Sequence, residues 1–129
     1  MDVPEIRVDG HQGVNQLVVL IAGDLKLEIK DIPQILVYGK GRLIVDGDNA
    51  AHLVICGECS VTVTGDHLGK ITPMFKLVKN TSIPEGIPYD VKVCGDSRGL
   101  IVARHVEIGG FCSGQTHAES AKLLAVQPG

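Results

Sequence analysis

Two cysteines three positions apart are the residues of this chain best suited to chemistry. Cys56 and Cys59 form a Cys-x-x-Cys pair within residues 52–65, HLVICGECSVTVTG. Such a pair can hold one zinc ion, but a structural zinc site needs four ligands. Cys112 and His117 are candidates for the other two, although nothing in the spacing requires it. A thioredoxin-like redox role is disfavoured, because that motif opens a helix and β-forming residues flank this one. The sequence therefore allows a zinc-stabilised domain without favouring it, and we predict no cofactor.

A glycine-rich stretch over residues 109–117, GGFCSGQTH, is the second candidate site. Cys112 could act as a nucleophile with His117 as its base, and the start of a following helix could bind an anion. The stretch holds no Lys or Arg, however, and no Asp or Asn can be assigned to orient the histidine. We interpret it as a connection between a strand and a helix and predict no catalytic residues. A small binding module or enzyme that uses residues 109–117 is the alternative.

The composition favours a β protein and argues against several classes of function. Aromatic residues make up 3% of the 129 residues, so the core must consist of Val, Ile and Leu, which suit pleated sheets. A net charge of −3 with mixed signs is unlike that of a nucleic-acid-binding protein. No apolar run reaches the ~18 residues that a membrane span needs. The N-terminal MDVPEIRVDG lacks the features of a signal peptide, so we expect synthesis in the cytoplasm.

Blocks of sequence repeat at a spacing of 17 residues. Residues 25–41 align with residues 42–58 without a gap, and residues 59–75 match in their first half. The alignment predicts two columns of apolar side chains: Leu20, Val37, Val54 and Ile71 in one, and Leu27, Ile44 and Val61 in the other. Gly-Asp dipeptides, typical of turns at strand ends, recur at residues 23–24, 47–48, 65–66 and 95–96.

Two architectures agree with this repeat. Strands spaced by about 8–12 residues are typical of antiparallel sandwiches and barrels, and an all-β antiparallel sandwich or barrel is our prediction. The alternative is a short β-solenoid with coils of about 17 residues, for which at least about three repeats are needed. The spacing and the recurrence of Val, Ile and Gly resemble those of bactofilin-like solenoids, which implies stacked coils.

The sequence predicts one β domain, residues 1–129, in five parts. We expect an N-terminal arm, repeat-like strands, a proline-containing loop, C-terminal strands, and a glycine-rich loop with a tail, at residues 1–13, 14–78, 79–88, 89–108 and 109–129. In the tail, Thr116 and Glu119 have the spacing of a capping box, which predicts a short C-terminal helix over residues 118–126.

The strand patterns point to an assembly protein. Segments such as residues 18–21 and 53–55 are apolar on both faces, which predicts that a neighbouring subunit covers the second face. We therefore expect a non-enzymatic structural protein that forms a homo-oligomer, such as a trimer, and binds neither nucleic acid nor membranes. In size, β content and lack of catalytic residues the chain resembles small virion decoration or cement proteins. That resemblance implies a larger protein shell as partner and a place in the virion.

Overall fold

The chain folds into a parallel β-solenoid of about five turns. A computed structural model describes the backbone of residues 5–9, 16–74 and 87–125 and the side chains of residues 16–74 and 87–121. In this part of the chain nine strands form one continuous sheet. They are β1 (Glu5–Asp9), β2 (Gln16–Lys30), β3 (Gln34–Val45), β4 (His52–Ile55), β5 (Glu58–Val63), β6 (Lys70–Pro73), β7 (Asp90–Val93), β8 (Leu100–Phe111) and β9 (Gln115–Ala125).

The pairing of the strands confirms the all-β class and the alternative architecture, and it shows that the expected antiparallel sandwich or barrel was wrong. Every pair of neighbouring strands in the described residues is parallel. β3 pairs through its first half with β4 and through its second half with β5, so one coil has two long sides. The two sides of a coil follow each other along the sequence as two strands of a hairpin do. Strand spacing alone therefore did not separate the two architectures.

One coil takes 18 residues in the regular part of the solenoid, where the sequence alignment gave 17. Leu27 pairs with Val45, and Val45 pairs with Val63. Ile44, which the alignment placed beside Leu27, pairs with Lys26 instead. A slip of one residue turns a side chain to the opposite face of a sheet. The predicted columns therefore mixed inward-facing with outward-facing residues.

The core consists of aliphatic columns between the two long sides of each coil. Inward-facing residues alternate with outward-facing ones, as the pattern of buried and half-buried residues in β3 and β5 shows. Equivalent residues of successive coils stack upon one another, because the parallel pairing keeps them in register. The largest fully buried aliphatic side chains are Leu27, Ile35, Leu43, Leu53, Ile71, Ile87, Ile101 and Ile108.

Three of the Gly-Asp dipeptides lie where the second side of each coil turns back towards the first. We call this turn the return corner; it comprises residues 47–51, 65–69, 95–99 and 110–114. The carboxylates of Asp48 and Asp66 accept the backbone N–H groups of Asp66 and Asp96, one coil further on, at 2.8 and 2.9 Å. A Cβ on Gly65 would lie 2.3 Å from the Asp48 Oδ1 atom, so glycine leaves room for the carboxylate. These side chains therefore link neighbouring coils, where the sequence had suggested bonds within each turn.

The C-terminal segment forms a strand, and the expected helix was wrong. β9 pairs with the whole length of β8, with Ala118 opposite Ala103. A helix as short as the predicted one depends on tertiary packing for its stability, whereas the edge of β8 offers a complete ladder of backbone hydrogen bonds. Val126, the last residue of the predicted helix, lies outside the described residues.

Several predicted boundaries differ from those of the structure. Gly109 and Gly110, expected in a loop, continue β8. The described part of the expected N-terminal arm is strand β1, which pairs with the end of β2. Residues 79–86 of the expected loop lie outside the described residues. The structure describes no helix long and apolar enough to cross a membrane in the residues it covers.

Candidate functional site

A groove of about 640 Å³ runs along the return corner and crosses several coils. Gly69, Gly99 and Gly114 occupy equivalent positions along it, one in each of three successive coils. A Cβ at any of the three would lie within 2.2 Å of a backbone oxygen of the preceding coil, so only glycine fits. Lys70 follows the first of these glycines, and Arg98 precedes the second. The corner thus brings two cationic side chains from adjacent coils to the same groove.

The groove carries positive charge without a neutralising partner. No Asp or Glu is among its lining residues, which include His52, Lys70 and Arg98. Neither Lys70 nor Arg98 forms an ion pair within the part of the chain that the structure describes. Five other cationic residues each pair with an acidic residue: Lys26, Lys40, Arg42, Lys92 and Arg104. The groove is therefore a positive region on a chain whose net charge is −3.

The other polar groups at the groove leave recognition to side chains. His52 Nε2 lies 2.7 Å from Thr72 Oγ1. Burial and then the charge of Lys70 lower the pKa of His52, which favours the neutral ring. The backbone N–H groups of Gly69 and Gly114 donate to carbonyl oxygens of the preceding coil at 3.0 and 3.1 Å. These amides are therefore not available to a ligand.

A row of buried polar side chains lies beneath the return corner. Asn49, His67 and Ser97 pair as consecutive bridges, and all three are fully buried. The amide Nδ2 of Asn49 donates to His67 Nδ1 at 3.2 Å, and His67 Nε2 donates to the Leu100 carbonyl at 3.0 Å. This arrangement requires the neutral histidine with its proton on Nε2. Ser97 Oγ has no hydrogen-bond partner.

We expect His67 to make the fold sensitive to acid. Burial lowers the pKa of His67, and a proton on Nδ1 would face the amide donor of Asn49. Because the pKa in the folded state lies below that of the unfolded chain, the contribution is fully present above pH ~6.5. It is lost as the pH falls from there towards the folded-state pKa. Thermal unfolding followed by circular dichroism should show the melting temperature falling over this range.

The variant His67→Asn provides the comparison, because it repeats the residue that already stands at the equivalent position of the preceding coil. Its melting temperature should change less over the same pH range than that of the wild type. His52 remains in both proteins, so its own contribution cancels. An equal pH dependence in the two proteins would show that His67 is not the acid-sensitive group.

The paired cysteines lie in different environments. Cys59 is fully buried, and burial raises the pKa of its thiol to about 11, which keeps it protonated and unreactive. Cys56 is half-buried, and its Sγ lies 3.1 Å from the Sδ of Met74 one coil further on. The turn between β4 and β5 separates the two cysteines. The pair thus marks a strand junction, as the sequence analysis had suggested.

The other two zinc candidates lie near the C-terminal end of the solenoid. Cys112 continues the buried polar row one coil beyond Ser97, with its Sγ 3.6 Å from Thr116 Oγ1. His117 lies in β9 opposite Val102. Among the described residues, no three His, Cys, Asp or Glu side chains form a group that could hold a metal ion. Residues 109–117 join β8 to β9, so the helix start considered as an anion site is not present there.

The solenoid also has a strand edge that no described strand covers. Residues 16–25 of β2 pair with β3, whereas β1 covers only the end of β2. Val18 and Leu20 on this edge segment are 59% and 80% exposed. In a later coil the N–H of Cys56, the residue equivalent to Leu20, donates to the Val37 carbonyl of the preceding coil at 2.7 Å. The corresponding groups of Val18 and Leu20 therefore face the uncovered edge.

The opposite end of the solenoid has a similar edge. Within the described residues β9 pairs with β8 alone. Its strand direction is the same as that of β2, because every pairing in between is parallel. The two ends therefore present complementary sides of one type of ladder.

Scans of family models, of curated proteins and of solved structures find no match to this chain. The function must therefore be argued from the groove and the edges. Sequence reasoning missed both features. The Gly-Asp dipeptides at residues 47–48 and 65–66 already show the spacing of 18. The groove was harder to find, because Gly69 and Gly99 are 30 residues apart although they stack in adjacent coils.

Proposed function

We propose that the protein is a non-enzymatic structural component that assembles with copies of itself through the edges of its solenoid. The observation that carries this proposal is the uncovered edge of β2, with its exposed Val18 and Leu20. An unpaired strand edge is a template for a further strand, and exposed apolar side chains beside it favour association.

A second copy of the chain fits this edge better than an unrelated strand. β9 of one molecule has the direction and the coil geometry needed to continue the ladder at β2 of the next. Such a contact joins two different surfaces, so it can repeat and favours an open stack over a closed ring. It therefore supports self-association, and it favours a linear assembly over the expected trimer. Attachment to a virion shell stays a prediction from the sequence.

Sedimentation at several protein concentrations tests this assembly. We expect the wild type to form species heavier than the 13.7 kDa monomer, with a fraction that rises with concentration. The variant Val18→Pro removes an edge-facing N–H, and Leu20→Lys places a charge beside it. Proline is tolerated where the N–H of an edge strand is unpaired, so both variants should fold and shift the population towards the monomer.

Leu68→Lys is the matched control, because Leu68 is another exposed leucine but lies at the return corner, away from the uncovered edge. It should leave the mass distribution unchanged. A wild-type protein that stays monomeric at all concentrations would overturn the proposal. So would a loss of assembly that is equal in the Leu68 and Leu20 variants.

A further inference from the structure

We propose that the groove at the return corner binds a small molecule that carries a multiply charged oxyanion, namely a phosphate group or a cluster of carboxylates. The binding residues are Lys70 and Arg98, with Gln115 as a neutral hydrogen-bond donor on the same groove. This inference is independent of the assembly proposed above, because the groove runs along the coils and the uncovered edge lies at the end of β2.

The distribution of ion pairs is the first argument. Surface cations on this solenoid are generally paired with an acid of a neighbouring segment, as Arg104 is with Asp90 at 3.0 Å. Lys70 and Arg98 depart from that pattern, and both line the same groove. Two exposed like charges held near each other by adjacent coils repel, and an anion between them relieves the repulsion. The lowered pKa of His52, to which Lys70 contributes, agrees with an uncompensated positive potential.

The shape of the groove is the second argument. A volume of about 640 Å³ is of the size that accommodates small-molecule ligands. Its path is fixed by the stacked glycines, whose close contacts leave the corner no freedom to collapse inwards. The ligand must therefore meet side chains on a rigid support, which lowers the entropy cost of binding.

The available donors determine the chemical class of the ligand. The guanidinium of Arg98 can form two parallel hydrogen bonds to a carboxylate or a phosphate, and Lys70 supplies a compact positive charge. Because the amides of Gly69 and Gly114 bond to the preceding coil, no backbone anion nest is available. None of the groove-lining residues is aromatic, so a ligand recognised by ring stacking is disfavoured.

Titration calorimetry at low ionic strength, with inorganic phosphate in one arm and citrate in the other, tests the proposal. We expect at least one of the two to bind the wild type. The variants Lys70→Gln and Arg98→Gln should each weaken binding by about tenfold or more, the loss expected for a charge-assisted hydrogen bond. Amide chemical shifts of Gly69, Gly99 and Gly114 should move on titration, which would locate the ligand at the groove.

Arg104→Gln is the matched control, since it removes an arginine that lies outside the groove and is already paired. It should leave the affinity unchanged. Binding of phosphate alone or of citrate alone would support the proposal and identify the preferred oxyanion. No binding of either at millimolar concentration would overturn it, as would an equal loss in the Arg98 and Arg104 variants. These outcomes do not depend on the sedimentation results, so the two proposals can fail separately.

Discussion

Replacement of Tyr89 by alanine is expected to lower the free energy of unfolding by about 3–5 kcal/mol, the range for truncating a buried aromatic side chain. Tyr89 is fully buried in a core that otherwise consists of aliphatic residues. Its hydroxyl donates to the Val102 carbonyl, and its own carbonyl accepts the Arg104 N–H at 2.9 Å. Alanine would leave a large cavity and an unsatisfied carbonyl between β7 and β8.

Urea unfolding followed by circular dichroism measures this effect, and Tyr38 supplies the control. Tyr38, the other tyrosine of the chain, is only half-buried on the outer face of β3. Tyr38→Ala should therefore cost far less stability than Tyr89→Ala. Tyr89→Phe, which removes the hydroxyl alone, should cost about 0.5–1.5 kcal/mol. If the two alanine variants lost the same stability, Tyr89 would not have the central packing role assigned to it.

The second large effect is expected for Gly41→Ala. Gly41 has a φ of 139°, and a Cβ there would lie 1.8 Å from the carbonyl oxygen of Gly23 in the preceding coil. Backbone strain of about 1–2 kcal/mol adds to an overpacking cost of about 1–3 kcal/mol. We therefore expect the variant to be destabilised by about 2–5 kcal/mol through separation of β2 from β3.

Gly47→Ala isolates the contribution of the close approach. Gly47 also has a positive φ, of 101°, but nothing lies within 4 Å of the Cβ that would be added. Its cost should therefore be limited to the backbone strain of about 1–2 kcal/mol. Urea unfolding of both variants gives the comparison. Equal destabilisation would mean that the contact between the coils at Gly41 relaxes freely.

The repeat was visible in the sequence, but its register was not. The alignment relied on aliphatic residues, and Val, Ile and Leu occur on both faces of the first side of each coil. Val54 faces outward and is nearly buried, whereas Val18 at the equivalent position is 59% exposed. Hydrophobicity alone could therefore not assign a face. The turn residues were better markers, because Asp48 must reach the N–H of Asp66 in the next coil and so fixes the spacing.

The groove could not be predicted, because its residues come from separated segments. Lys70 and Arg98 are distant in the sequence, and they meet because β6 and β8 are neighbours in the sheet. The residues between β6 and β7 interrupt the repeat, so no periodic pattern links the two cations.

By itself, the sequence determined that the protein is an all-β domain with an aliphatic core and turns at Gly-Asp dipeptides. These features depend on local preferences, since β-branched residues favour extended backbone and Gly-Asp favours a turn. The tertiary structure decided the direction of the strands, the fate of the tail and the position of the groove. Residues 116–125 have the capping residues of a helix, yet they form β9, because pairing with β8 satisfies their backbone groups. Such pairing depends on which edge is available in space, which a local pattern does not specify.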